Sequence, residues 1–240
     1  MTESEYDDNL KWMMGQVDTA IESFYVGQEI HQIAREQIAF FRRLNRDAAF
    51  WNLVLQSLQS TFFTALWRIF DLGGDTLSID KLLSDTVEHP EYFSKTALHT
   101  RKIAQAHEIT EWPEEYIESV WEPTASDLRA LKKAIVPFSA RFKAMYPPIR
   151  NRVFEHNVIM KSGLTYELFR KAEIKQIDEI LYFLCDLTHV LFDLFVHGNK
   201  PELGKNKYRY KERIRDSVQS ILSIVYPENW TGRQWSWGLS

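Results

Sequence analysis

A chain of 240 residues with one cysteine cannot carry an internal disulfide, and 45% hydrophobic residues supply enough apolar surface for a core that needs none. A formal charge of −4 excludes whole-molecule attraction to nucleic acid, so any such binding has to use a local basic patch. Nine glycines and eight prolines are too few for a many-stranded fold, and no run of 18 apolar residues suggests a membrane span. Eight tryptophans and 14% aromatic residues suit wide helix–helix interfaces. The acidic start of the chain lacks the layout of a signal peptide, and with Cys185 inside an apolar run the expected setting is the reducing cytoplasm.

The helical period dominates from the start. Between residues 6 and 44 there is no proline, and Trp12, Val17, Ala20, Ile21, Phe24, Ile30, Ile33, Ile38 and Phe41 recur at helical spacing, as one long helix or two in sequence. Asn45 and Asp47 suit a break and a new cap. The next helix, 48–72, is apolar almost all round and is expected in the core, with Gly73-Gly74-Asp75 ending it. Ser78 caps a short helix to Val87, Pro90 starts another that ends near His107, and Pro113 a third. Ser126-Asp127 opens a helix that Pro137 should kink or restart, and Pro147-Pro148 should break it again before a helical segment 149–160. A long helix follows over 172–196, stopped by Gly198. A polar loop leads to a last helix over 208–225 that ends before Pro227. The tail beyond it holds Trp230, Trp235 and Trp237, which are expected to dock on the body or on a second subunit.

The segment Arg150-Asn151-Arg152-Val153-Phe154-Glu155-His156 carries the most chemical information. It resembles the signature of the HEPN superfamily, an Arg followed by a small polar residue and then a His four to six residues on. The helix ending Leu66-Trp67-Arg68-Ile69-Phe70-Asp71 and the turn to Leu77-Ser78-Ile79-Asp80 are similar to the abortive-infection, AbiU-like branch of that superfamily. The resemblance covers about 47–196. It implies an all-α fold, a HEPN-like helical bundle with additional N-terminal and C-terminal helices. The chain is read as a single domain, with the N-terminal helix at 6–44 and the C-terminal helix and Trp-rich tail at 207–240.

The resemblance further implies a metal-independent endoribonuclease, without cofactor, of bacterial defence or a toxin–antitoxin pair. The alternative is a non-catalytic protein- or RNA-binding scaffold of the same fold. Residue chemistry fits the first reading. Attack of a 2′-hydroxyl on phosphorus needs a group that moves a proton near neutral pH, and His156 is one. Arg150 can stabilise the extra phosphate charge, and Asn151 can fix the phosphate or orient His156. On an ideal helix Arg150 and His156 lie about 120° apart, whereas Arg152 shares the face of His156. Either the prolines distort the first turn or two chains pair this helix across a two-fold axis. The resemblance implies the second arrangement, a homodimer acting on RNA, with an antitoxin protein as a further partner and no membrane. Some relatives carry a modified Tyr two residues after the His. Here that position is Val158, which puts such regulation in doubt.

Two more constellations stand out. Glu179, Asp186, His189, Asp193 and His197 share a stripe on the late helix. They suit a divalent metal, a solvated edge, a polar seam against another helix, or support for the Arg150–His156 site. The stretch 205–215 sets Lys205, Lys207, Arg209, Lys211, Arg213 and Arg215 against Glu212 alone. Tyr208 and Tyr210 alternate with them. Lys205, Lys207, Tyr208, Arg209, Tyr210 and Lys211, with Arg152, are the candidate RNA-binding residues, the cations for phosphates and the rings for bases. A charged loop and helix start accounts for the same residues without a ligand.

Overall fold

The computed structural model describes residues 1–71, 76–105, 114–150, 171–206 and 208–225. Among these there are ten α-helices and no strand. They are α1 (Glu3–Glu36), α2 (Ile38–Arg46), α3 (Ala48–Phe70), α4 (Ile79–Glu88), α5 (Lys95–Gln105), α6 (Glu114–Ser119), α7 (Ala125–Ala134), α8 (Val136–Arg150), α9 (Lys171–His197) and α10 (Tyr210–Val225). A single 3-10 turn, Pro90–Phe93, precedes α5. The fold is therefore all-α, as the period of the sequence implied. The backbone contacts sort it into two compact units, one of Met1–Ala20 with Phe63–Tyr208 and one of Ile21–Phe62 with Arg209–Ser240. The Trp-rich tail lies outside the described residues.

The larger unit is organised on apolar stripes at helical spacing. Tyr6, Leu10, Met13 and Val17 of α1 are buried, as are Ile177, Ile180, Leu181, Leu184, Leu187, Leu191 and Leu194 of α9. Tyr6 is fully buried, and its hydroxyl shares a 2.8 Å hydrogen bond with Thr86 Oγ1 of α4. Burial without such a partner would leave the phenol unsatisfied in the core. Arg101 of α5 joins three elements. Its guanidinium donates to the Tyr92 carbonyl (2.8 Å) and the Phe195 carbonyl (2.6 Å), pairs with Glu3, and lies 4.0 Å over the Phe195 ring. It thereby supplies donors near the C-terminal end of α9, where helix carbonyls run out of partners.

Helix α9 stops where Gly198 adopts φ +64°, a left-handed conformation that favours glycine. A Cβ there would come within 2.7 Å of Val120 Cβ and 2.9 Å of Leu98 Cδ2. The Gly198 carbonyl accepts from the Trp121 N–H at 2.7 Å. The stretch Ile174–His197 is long and apolar enough to cross a membrane, yet 61% of its apolar window is buried inside the protein. It is the core helix of this unit, with its apolar faces covered by the chain's own side chains.

In the smaller unit Ile30, Ile33, Phe40, Trp51, Val218 and Leu222 form the core. The Glu29 carboxylate of α1 is buried and accepts from Arg215 Nε and Gln219 Nε2 of α10, both at 3.3 Å. Removing either donor leaves a buried charge less compensated.

Local signals placed most boundaries and missed some. Ser78 caps α4 by accepting from the Lys81 N–H, and Pro137 sits in the first turn of α8, after a break at Ile135. Thr124, rather than Ser126, caps α7, in a capping box with Asp127. The pair Pro147-Pro148 does not break the chain's helix, because α8 runs through it to Arg150. The two prolines remove backbone donors but leave φ compatible with helix. The N-terminal region is two helices, split at Gln37, whose backbone is extended and whose side chain makes no capping bond. Helix α3 is not buried all round. Its second half buries Phe62, Phe63, Ala65, Leu66, Ile69 and Phe70 but leaves Trp67 39% exposed, and in the first half Phe50 is 60% and Leu53 63% exposed, since that half packs by one face only, around Trp51.

Candidate functional site

The motif begins where α8 ends. Arg150 is the last residue of that helix, while its side chain and all of Asn151, Arg152 and His156 lie outside the described residues. What the structure does define is how α8 is held against α9. Phe138 stacks on Phe183 with ring centres 3.9 Å apart and planes 8° from parallel. Phe142 stacks on Phe70 of α3 at 4.6 Å. Arg141 pairs with Glu179 at 2.7 Å and lies 5.5 Å over the Phe138 ring. Helix α8 thus has its register fixed by aromatic faces and an ion pair two to three turns before Arg150.

Glu179 is taken up by that ion pair, and Asp186 and His189 of the α9 stripe each have partners of their own. Asp186, 2% exposed, accepts the Gly204 N–H at 2.6 Å, the Tyr208 hydroxyl at 3.2 Å and the Asn206 side-chain amide at 3.3 Å. His189 Nδ1 lies 2.8 Å from the Cys185 carbonyl, which only accepts, so that nitrogen carries a proton. The His189 ring also packs 5.1 Å from Tyr208. The Asp193 carbonyl accepts the Asn199 N–H, and the His197 carbonyl the Tyr116 hydroxyl. Among the described residues no three His, Cys, Asp or Glu side chains gather as a metal site. The stripe instead contains a polar node under the loop that follows α9.

That node sets the electrostatics locally. Burial, and then the Asp186 charge, push the Tyr208 hydroxyl well above the ordinary phenol range, so it stays a donor toward the carboxylate. Burial, followed by the charges of Asp18 and Asp186, pushes the Cys185 thiol up to about 12, which keeps it protonated and inert. The Tyr182 hydroxyl donates to the Asn206 carbonyl, and its ring meets Tyr208 edge-on at 5.8 Å. Sequence reasoning missed Gly204 and Asn206. The available signal was a lone carboxylate inside the apolar run 180–187, which demands donors from somewhere.

The basic stretch divides between the two units. Lys205 is exposed and pairs with Glu202, whose other oxygen is 3.4 Å from Lys200. Lys207 lies outside the described residues. Arg209 is exposed at the start of the smaller unit's C-terminal segment. Lys211 lies 5.2 Å over the Tyr25 ring, and Tyr210 packs on the same ring at 5.4 Å. The cations therefore sit at the surface, while the two tyrosines turn their rings toward protein partners.

The described helices are all-α, and the Arg150-Asn151 pair with His156 begins at the end of the helix packed on α9, a combination that fits the HEPN superfamily. The family model for AbiU2, a HEPN family, matches residues 8–213. The chain belongs to this AbiU2 branch, and the match takes in α1 through the first turn of α10. No curated protein and no solved structure matches it.

Proposed function

We propose that the protein is a metal-independent endoribonuclease of the HEPN type, acting in bacterial defence or as the toxin of a toxin–antitoxin pair. The observation that carries the reading is the position of Arg150-Asn151 and His156 inside the 8–213 family match. In this reaction His156 accepts the proton of the RNA 2′-hydroxyl or protonates the leaving 5′-oxygen. Arg150 stabilises the charge that develops on phosphorus, with Asn151 holding the phosphate or the imidazole. A two-fold dimer brings two such helices to one cleft and overcomes the angular separation of Arg150 from His156. Arg152, Lys207 and the surface cations Lys205, Arg209 and Lys211 supply phosphate affinity to an acidic chain.

The test is cleavage of single-stranded RNA in EDTA by purified protein. Cleavage to 2′,3′-cyclic phosphate ends is expected. His156→Ala should lower the rate about 10²–10⁴-fold and Arg150→Ala about 10²–10³-fold, both with unchanged thermal midpoints. Cleavage of DNA at an equal rate would refute the mechanism, since DNA lacks the attacking oxygen. Binding without cleavage would leave the scaffold alternative standing.

A further inference from the structure

The loop after α9 carries an exposed cation over a buried anion. Asp186 lies in the third turn from the end of α9, and all three of its donors come from residues 204–208. Two of those donors flank Lys205 directly, and the third, the Tyr208 hydroxyl, follows three residues on. Gly204 adopts φ +81°, so the chain turns there and presents its N–H to the carboxylate. The Tyr182 hydroxyl holds the Asn206 carbonyl from the other side. The backbone on either side of Lys205 is therefore fixed to the core helix, while the Lys205 side chain is 67% exposed.

We infer that Asp186 is a positioning residue for RNA binding: it holds Gly204, Asn206 and Tyr208 so that Lys205 is presented to phosphate in one place. The inference rests on the ribonuclease reading above. Asp186 touches no RNA itself. Its chemistry explains why a carboxylate stands there. Three donors converge on one side chain. The Gly204 N–H can only donate, and a carboxylate accepts from it and from the other two without any partner turning round. A leucine of similar size would leave all three without an acceptor and release them. A cation held in place loses less freedom on meeting a phosphate than one on a free loop, so the lock raises affinity without adding a contact. Glu202 acts in the opposite sense, because it occupies the Lys205 ammonium in the free protein and RNA phosphate has to displace it.

The experiment uses the full chain with His156→Ala, so that RNA is bound and not consumed. The probe is a fluorescein-labelled single-stranded RNA of about 20 nucleotides, a length that exceeds one ssRNA-binding site, titrated across a range of salt concentrations. Adding Asp186→Leu should weaken binding about fivefold and flatten the log K against log salt slope by about 0.7, the amount for one lost phosphate contact on single strands. Lys205→Ala should do the same, and the two together should do no more than either alone. Tyr208→Phe, which removes one donor and buries nothing new, should fall between parent and Asp186→Leu. A loosened core alone would lower the thermal midpoint and leave the salt slope unchanged. Parent affinity and slope in Asp186→Leu, or full additivity with Lys205→Ala, would overturn the positioning role alone. If the His156→Ala parent binds no RNA, the ribonuclease reading falls and the positioning role with it.

Discussion

The two compact units bury their apolar residues to different degrees. In the larger one, α9 alone hides Ile177, Ile180, Leu181, Leu184, Leu187, Leu191, Leu194 and Phe195, and Val136 is the only large apolar side chain among its described residues more than 40% exposed. In the smaller one, a cluster of six buried side chains, with Ile21, Phe24 and Phe62 also buried, coexists with exposed Ile38 (69%), Phe41, Phe50, Leu53, Ile221 and Ile224 (76%). Its buried centre is also partly polar, with Glu29 against Arg215 and Gln219. Fewer buried contacts mean a lower free energy of local opening. The region holding the motif helix in register is thus more firmly built than the region carrying most of the basic helix α10.

The strongest test of that contrast is cavity formation. Leu184, 0% exposed in α9, should cost about 2–5 kcal/mol on replacement by Ala, read as the shift in urea unfolding. Next comes Arg101→Ala, which leaves the Tyr92 and Phe195 carbonyls without their donor and should cost about 1–3 kcal/mol. Leu222→Ala, in the smaller unit at 7% exposure, should cost about 2 kcal/mol, the low end of such changes. Its amide exchange should speed in α10 and stay as it was in α9. Equal protection of α9 and α10 in the unaltered protein would break the comparison.

The smallest effect is in pH. Burial, and then the Arg35 charge, hold the His31 imidazole below its ordinary value of 6.5. The unfolded chain then binds the proton more readily than the folded one, so the stabilising contribution is complete above that ordinary value and is lost as pH falls through the lowered folded value. His31→Gln should flatten the decline in thermal midpoint on acidification, by about 2–4 °C at most. Exchange in α10 of the parent should accelerate on the same acid limb before that in α9 does. A midpoint that falls with acid equally in His31→Gln and parent would remove His31 from the account.

Local chemistry in the sequence foretold the elements better than their partners. Ser78, Pro137 and Gly198 act on their own neighbours, through a cap, a fixed φ and a left-handed stop, and such effects are visible in a few residues. Pro147-Pro148 also looked decisive, but proline disfavours helix without forbidding it, and α8 continues. The split at Gln37 has no side-chain capping bond to announce it. For the site, the Arg150-Asn151 and His156 pattern was legible as residue types. The fate of the α9 stripe was not, because whether Asp186 meets a metal, water or Tyr208 depends on a loop 18–22 residues away. Spacing along one helix gives a shared face and says nothing of what covers it.

The stop at Gly198 also constrains how this sequence can drift. Its missing Cβ is occupied in space by Val120 and Leu98, two side chains from other parts of the chain. Positions 98, 120 and 198 therefore form a set in which no member can enlarge alone. Relatives that keep this junction should keep glycine at 198 whatever their overall divergence. One that has replaced it should show a smaller residue at 120, a smaller one at 98, or a core helix that ends at a different place.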